Sequence, residues 1–280
     1  MEKTGPPSRV MRFYGNLDYA AEPVGFKEIT FLHVDKLNDP FDPYFFFATD
    51  FNEDHSALMK HVQQNHKSEF TKFKKLFPQS EWPVTIAKID EHLKSALKST
   101  FVFSASEIKE NEHPKDNLYL WSHYADGHRG AAIEFDAALL GSALKKEYER
   151  HGEKKLDPWI KIKYCDKVPQ ITAESIYQYY IKNNEHPLSD GLKRIFSTKR
   201  EMWRIENEWR LVWRNDHIKR KTQRLKLIDN SVAALYLGYR IPEEARESLI
   251  SDAKYNFPDV KLFAGKMAKG KFALEFDELP

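Results

Sequence analysis

The chain has 280 residues, long enough to bury a sizeable core as one large domain or one domain carrying an insertion. Its 44 basic and 42 acidic side chains leave a formal charge of +2, so global charge argues for neither a nucleic-acid nor an acidic partner. The single cysteine, Cys165, excludes an internal disulfide framework and a multi-cysteine metal site.

Residues 1–9, with Gly5, Pro6 and Pro7, read as a disordered lead without the apolar core of a secretory signal. No run approaches the ~18 apolar residues of a membrane span, which predicts a cytoplasmic protein with no membrane partner. A first strand is predicted over 10–14 and a second over 28–33, where Ile29 and Phe31 alternate with Thr30 and Leu32. The stretch 37–43 holds Pro40, Pro43 and several Asx residues, so it reads as a tight loop before the apolar run 44–48. Helices are expected over 53–77 and 83–98, forming a helical insertion (53–98) beside a sheet. Then come a strand at 100–104, a short helix at 117–126 and a strand at 129–136 with Ala131, Ile133 and Phe135 facing one way.

In the second half, 159–164 alternates as a strand, and helices are expected at 171–182, 188–201 and 242–254. Glu206 to Trp213 gives the clearest strand pattern, and further strands fit near 222–228, 232–238, 259–264 and 271–276. Strands and helices mix without a regular βαβ rhythm. The fold expected is therefore α+β: one domain over 10–280 with a mixed, mainly antiparallel sheet and flanking helices.

Three stretches carry chemistry. On a helix over 117–126, Leu118, Trp121 and Ala125 share an apolar face, while Tyr119, His123 and Asp126 offer a phenol, an imidazole and a carboxylate. Gly127 would end that helix and Gly130 would let the backbone approach something closely. The same residues also read as a capped helix whose His123 and Tyr124 satisfy buried partners. In the late strand, Asn207, Trp209, Leu211 and Trp213 form a core face; Glu206, Glu208 and Arg210 line the other. Paired glutamates there can hold a ribose hydroxyl or stabilise positive charge on a sugar carbon, or they are an ion-paired solvated face. Ser104 and Ser106 end an apolar strand and can contact a ligand, or Ser104 and Glu107 form a capping box.

Lys193, Arg194, Lys199, Arg200 and Arg204 could attract phosphates; His217, Lys219, Arg220, Lys221 and Arg224 read as an exposed hairpin turn. No Gly-rich phosphate loop, G-x-G-x-x-G, G-x-S-x-G or H-E-x-x-H occurs, and the 11 histidines lack metal-ligand spacing, so no metal is expected.

Leu37-Asn38-Asp39-Pro40-Phe41-Asp42, Phe103-Ser104, Trp121-Ser122-His123-Tyr124-Ala125, Glu208-Trp209-Arg210 and Leu237-Gly238 together resemble a bacterial domain-of-unknown-function family. That layout is similar to ADP-ribosyltransferases, which place a basic residue on a first strand, a Ser-Thr-Ser-like strand in the middle and Glu-x-Glu late. The resemblance implies an ADP-ribosyltransferase-like arrangement and NAD as a substrate, with a nucleic acid or protein as acceptor, in a toxin or antiphage effector. It makes Glu208 the residue that holds the nicotinamide ribose, with Glu206 as its pair. It also implies cofactor contacts from Arg12, Tyr14, Ser104, Ser106, Tyr119, Trp121, Tyr124 and Arg210. His123 has no part in that template. It is the acid–base group of an alternative reading as a metal-independent nuclease or phosphodiesterase. A third reading is a nucleotide- or partner-sensing module without chemistry.

Overall fold

The computed structural model describes residues 5–39, 41–44, 46–47, 55–151, 158–181, 190–215 and 221–280. Residues 1–4 of the expected disordered lead, Pro40 and much of 44–48, and His217, Lys219 and Arg220 of the basic turn lie outside the described residues.

The architecture is α+β, with a mainly antiparallel sheet, as expected. Its strands are β1 (Arg9–Tyr14), β2 (Glu28–His33), β4 (Thr100–Glu107), β5 (Ala131–Asp136), β6 (Trp159–Lys161), β10 (Glu208–Arg214), β11 (Thr222–Lys226), β12 (Val232–Leu237), β13 (Lys261–Met267) and β14 (Leu274–Glu278). Two short parallel pairs stand apart, β3 (Phe46–Phe47) with β8 (Gln170–Ile171) and β7 (Lys163–Tyr164) with β9 (Thr198–Lys199). No helix among the described residues is long and apolar enough to cross a membrane.

β4 is the hub. One edge pairs with β10 along its length, from Thr100 opposite Arg214 to Ser106 opposite Glu208. The other edge is shared: β2 takes Phe101 and Val102, and β1 takes Ser106 and Glu107. Between them β1 and β2 part, and among the described residues no strand covers β4 at Ser104 on that side. Arg12 reaches into the gap and donates from Nη1 to the Ser104 carbonyl at 2.9 Å.

Period-two burial sorts the two faces of the sheet. Phe31, Phe101, Phe103, Ile133, Phe135, Leu211 and Trp213 form one continuous core under helices Leu17–Gly25, Ala137–Arg150 and Glu243–Asn256. Each such large side chain contributes roughly 1.5–3 kcal/mol by leaving water. The opposite face carries two clusters. One holds Val102 and Val212 under helices that include His55–Asn65, Trp82–Lys98 and Ala173–Ile181. The other holds Met11 and Ala132 under helix Leu118–Tyr124. The candidate site lies where β1 and β2 part, lined by Met11 from one cluster and Val102 from the other.

Three expectations are corrected. The helix over 53–77 is two helices, His55–Asn65 and Phe70–Leu76, because His66 leaves the first to meet Glu174 at 2.7 Å. The strand through Ser104 runs on to Glu107, so there is no helix for a capping box to start. Glu206 does not open the late strand; it ends the 3-10 helix Glu201–Glu206, and Asn207 turns the chain through φ 44°.

Gly130 does come close to something, and it is backbone. A Cβ there would sit 1.9 Å from the Tyr14 carbonyl oxygen. Gly130→Ala is therefore expected to lower unfolding free energy by roughly 1–3 kcal/mol through overpacking, read as a lower urea midpoint. An unchanged midpoint would contradict this packing.

Candidate functional site

A cavity of about 220 Å³ opens over the parting of β1 and β2. Its walls include Arg12, Lys36, Asn38, Asp42, Ser104, Ser106, Tyr124, Lys199, Glu206, Glu208 and Arg210. That volume lies below the ~300–1,000 Å³ of drug-sized pockets. It holds one ring or sugar, and a larger ligand would extend past its mouth.

The antiparallel register places the floor. Glu208 stands opposite Ser106 and Arg210 opposite Ser104, so all four project to the cavity face, while Trp209 and Leu211 enter the core behind. The alternative of a solvated face does not hold: Glu206, Glu208 and Arg210 are all buried, Arg210 being 1% exposed.

Burial on this scale requires compensation, because an unpaired charge in the interior costs several kcal/mol. The compensation is a row of alternating charges. Asp42 accepts from Arg210 Nη1 at 2.7 Å and also pairs with Nη2. Arg210 Nε donates to Glu208 Oε1 at 2.6 Å. Lys199 Nζ then donates to both glutamates, at 3.0 Å to Glu208 Oε2 and 2.6 Å to Glu206 Oε2. Tyr124 donates its hydroxyl to Glu206 Oε1 and accepts from Asn38 at 3.3 Å. Behind the row, the Glu208 backbone N–H donates to the Tyr164 hydroxyl at 2.7 Å.

The two carboxylates differ in proton affinity. Burial alone would raise Glu208, yet the Arg210 guanidinium and the Lys199 ammonium hold it well below the usual carboxylate range. Burial pushes Glu206 up to about 7, with the Glu208 charge acting in the same direction and Lys199 only partly opposing it. Groups whose surroundings drive their affinities apart divide the roles of fixed charge and proton carrier.

This split has a stability signature. The folded chain holds the Glu206 proton up to about 7, against an ordinary 4.5, so between those values it binds more protons than the unfolded chain. That contribution to unfolding free energy falls as pH rises across the window. Glu206→Gln carries no such proton, so its stability relative to wild type is expected to improve from pH 5 to pH 8. Paired urea titrations check this; a gap that is flat or runs the other way contradicts the burial argument.

Of the other sequence-predicted residues, the Ser104 hydroxyl is buried beside Glu208 without a well-formed hydrogen bond. Arg12 lines the cavity, and neither it nor the exposed Lys36 forms an ion pair among the described residues. His123 and Tyr119 stay outside. They stack on each other at 5.3 Å, and His123 lies 5.5 Å from Trp203, which in turn covers the Lys199 ammonium at 5.1 Å. These rings form an aromatic rim beside Tyr124.

Besides Tyr119, two more expected cofactor contacts are not brought to the cavity. Trp121 is fully buried, packs edge-on to Phe13 at 5.2 Å and donates its indole N–H to the Lys115 carbonyl at 2.8 Å. Tyr14 belongs to the main core, because period two turns it to the face opposite Met11 and Phe13. The residues missed were Asp42, Tyr164 and the central place of Lys199. Asp42 had been visible as part of a motif, and Lys199 as one member of a basic run.

Fold and site thus define an α+β protein with a charge-compensated cavity, lined by both carboxylates and cations, at an opening in its sheet. Residues 120–211 match the family model described as "Protein of unknown function (DUF2971)", which bears out the expected resemblance to a domain-of-unknown-function family over that interval. The matched interval includes Tyr124, Lys199, Glu206, Glu208 and Arg210. No curated protein and no solved structure matches the chain.

Proposed function

We propose that the cavity belongs to a cytoplasmic nucleotide-using enzyme that cleaves the glycosidic bond of NAD and passes the ADP-ribosyl group to an acceptor. One observation carries the reading: an ionised Glu208 and a proton-holding Glu206 share one ammonium beside Arg12 and Lys36, two cations that form no ion pair among the described residues. Loss of nicotinamide leaves positive charge on the ribose carbon, and fixed negative charge in a water-poor site is what stabilises it. Arg12 and Lys36 suit the phosphates of such a substrate.

A carboxylate has about four acceptor positions. Glu208 gives three to Arg210 Nε, Arg210 Nη2 and Lys199 Nζ, and the fourth faces the Ser104 hydroxyl, whose place a ribose hydroxyl would take or share. As the carbon–nitrogen bond breaks, its electron pair departs with the nicotinamide ring. Glu206, when ionised, accepts the proton of the incoming acceptor hydroxyl or water. The nuclease reading would have its acid–base group, His123, act from the rim beside Tyr124 rather than from the cavity floor, which favours it less.

A second reading, recognition without turnover, is favoured by how completely the buried row is compensated. One experiment separates the two. Purified protein is incubated with labelled NAD and with protein and RNA acceptors, and free nicotinamide, label transfer and thermal stabilisation are recorded. Nicotinamide release supports the enzyme; stabilisation without release supports the sensor. The absence of both responses would remove NAD from consideration.

A further inference from the structure

A second cluster lies outside the cavity, in the helical layer. The donor atoms of His61, His66 and Glu174 all lie within 4.8 Å of one another, although Glu174 is more than a hundred positions away in the chain. His61 Nε2 stands 3.0 Å and His66 Nε2 2.7 Å from the same oxygen, Glu174 Oε2. From this geometry we infer that the three side chains bind one divalent transition-metal ion, Zn²⁺ by donor type, which fastens helix His55–Asn65 and the turn after it to helix Ala173–Ile181.

Two imidazoles and a carboxylate are zinc donors, and three protein ligands leave a fourth tetrahedral position for water. With metal–ligand bonds of ~2.0–2.2 Å, two tetrahedral ligands lie ~3.3 Å apart. The nitrogen–oxygen separations, 3.0 and 2.7 Å, are hydrogen-bond lengths somewhat shorter than that, so a bound ion would spread the donors by a few tenths of an ångström, within the 4.8 Å that already contains all three. The side chains are 33%, 19% and 40% exposed, so the open position faces solvent.

An outer layer also exists, of the kind that orients metal ligands. The Asn65 amide donates from Nδ2 to the His61 carbonyl at 2.9 Å and lies 3.4 Å from His61 Nδ1, so it sits against the edge of that ring. The His66 ring stacks on Tyr177 at 3.7 Å. Gln178 donates to the other oxygen of Glu174. The sequence expectation of no metal followed from the lack of ligand spacing along the chain; here folding supplies the third ligand.

The competing account is a metal-free pinch, in which both imidazole N–H groups donate to Glu174. The full chain, freed of any histidine tag and of metal by EDTA, is titrated with Zn²⁺. Bound zinc after gel filtration and the thermal midpoint are measured. One retained equivalent and a midpoint raised by several degrees are expected. Affinity should fall at least tenfold in Glu174→Gln and in His66→Gln, with His61→Gln as a further variant should either misfold. Asn65→Ala should weaken zinc less than loss of a ligand. Three results would overturn the site: no retained zinc, zinc held equally by the variants, or an equal midpoint rise with Mg²⁺, which prefers oxygen donors.

Discussion

Glu208→Gln is expected to lower NAD turnover by roughly 10²–10³-fold, the usual effect of deleting one electrostatic group aimed at a developing charge. Glutamine keeps the size of the side chain and an oxygen able to meet a ribose hydroxyl, but it removes the fixed negative charge. Ligand binding should survive, because Arg12 and Lys36 are untouched. The readout is therefore a pair of measurements: NAD-induced thermal stabilisation retained, nicotinamide release lost. Since the substitution also leaves Arg210 and Lys199 under-compensated, the assay belongs below the variant's own unfolding temperature, with folding confirmed by circular dichroism. Turnover equal to wild type would remove Glu208 from the chemistry and with it the glycosidic mechanism.

Arg210→Met should cost about 3–5 kcal/mol of stability, the typical result of breaking a buried ion pair from one side. Methionine fills similar space but leaves Asp42 without its guanidinium and Glu208 with only Lys199. Both carboxylates are almost fully buried, so water cannot take over the lost contacts. Chemical denaturation measures the loss, and a second substitution tests its cause. Adding Asp42→Asn to Arg210→Met removes one stranded charge, and part of the stability should return, since neighbours in one network are not additive. A loss under about 1 kcal/mol would mean that the row does not hold the cavity together.

What the sequence disclosed follows from the range of the interactions. Ala131, Ile133 and Phe135, or Trp209, Leu211 and Trp213, alternate because one sheet face is core, and that pattern is readable within six residues. The helix Ala137–Arg150 was passed over. It begins directly after β5 with no intervening loop, and its start is signalled only by Asp136 accepting the Leu139 N–H. That Ser104 and Ser106 face Arg210 and Glu208 was not legible, because strand neighbours a hundred residues apart cannot be read from local pattern. Glu206 lines the cavity, but not through strand alternation. A period-two strand would have put it there; the left-handed turn at Asn207 does so instead. Lys199 was indistinguishable from its basic neighbours, because its burial depends on two glutamates that only folding brings around it.

The opening between β1 and β2 has a mechanical consequence. A sheet resists shear through its ladder of backbone hydrogen bonds, and here that ladder is interrupted beside Ser104, whose carbonyl takes the Arg12 guanidinium instead of a strand partner's N–H. The strands on either side communicate across the sheet through β4 alone at that level. A ligand that donates and accepts in the opening would act as a missing rung, so that occupancy of the cavity and rigidity of the scaffold become a single property.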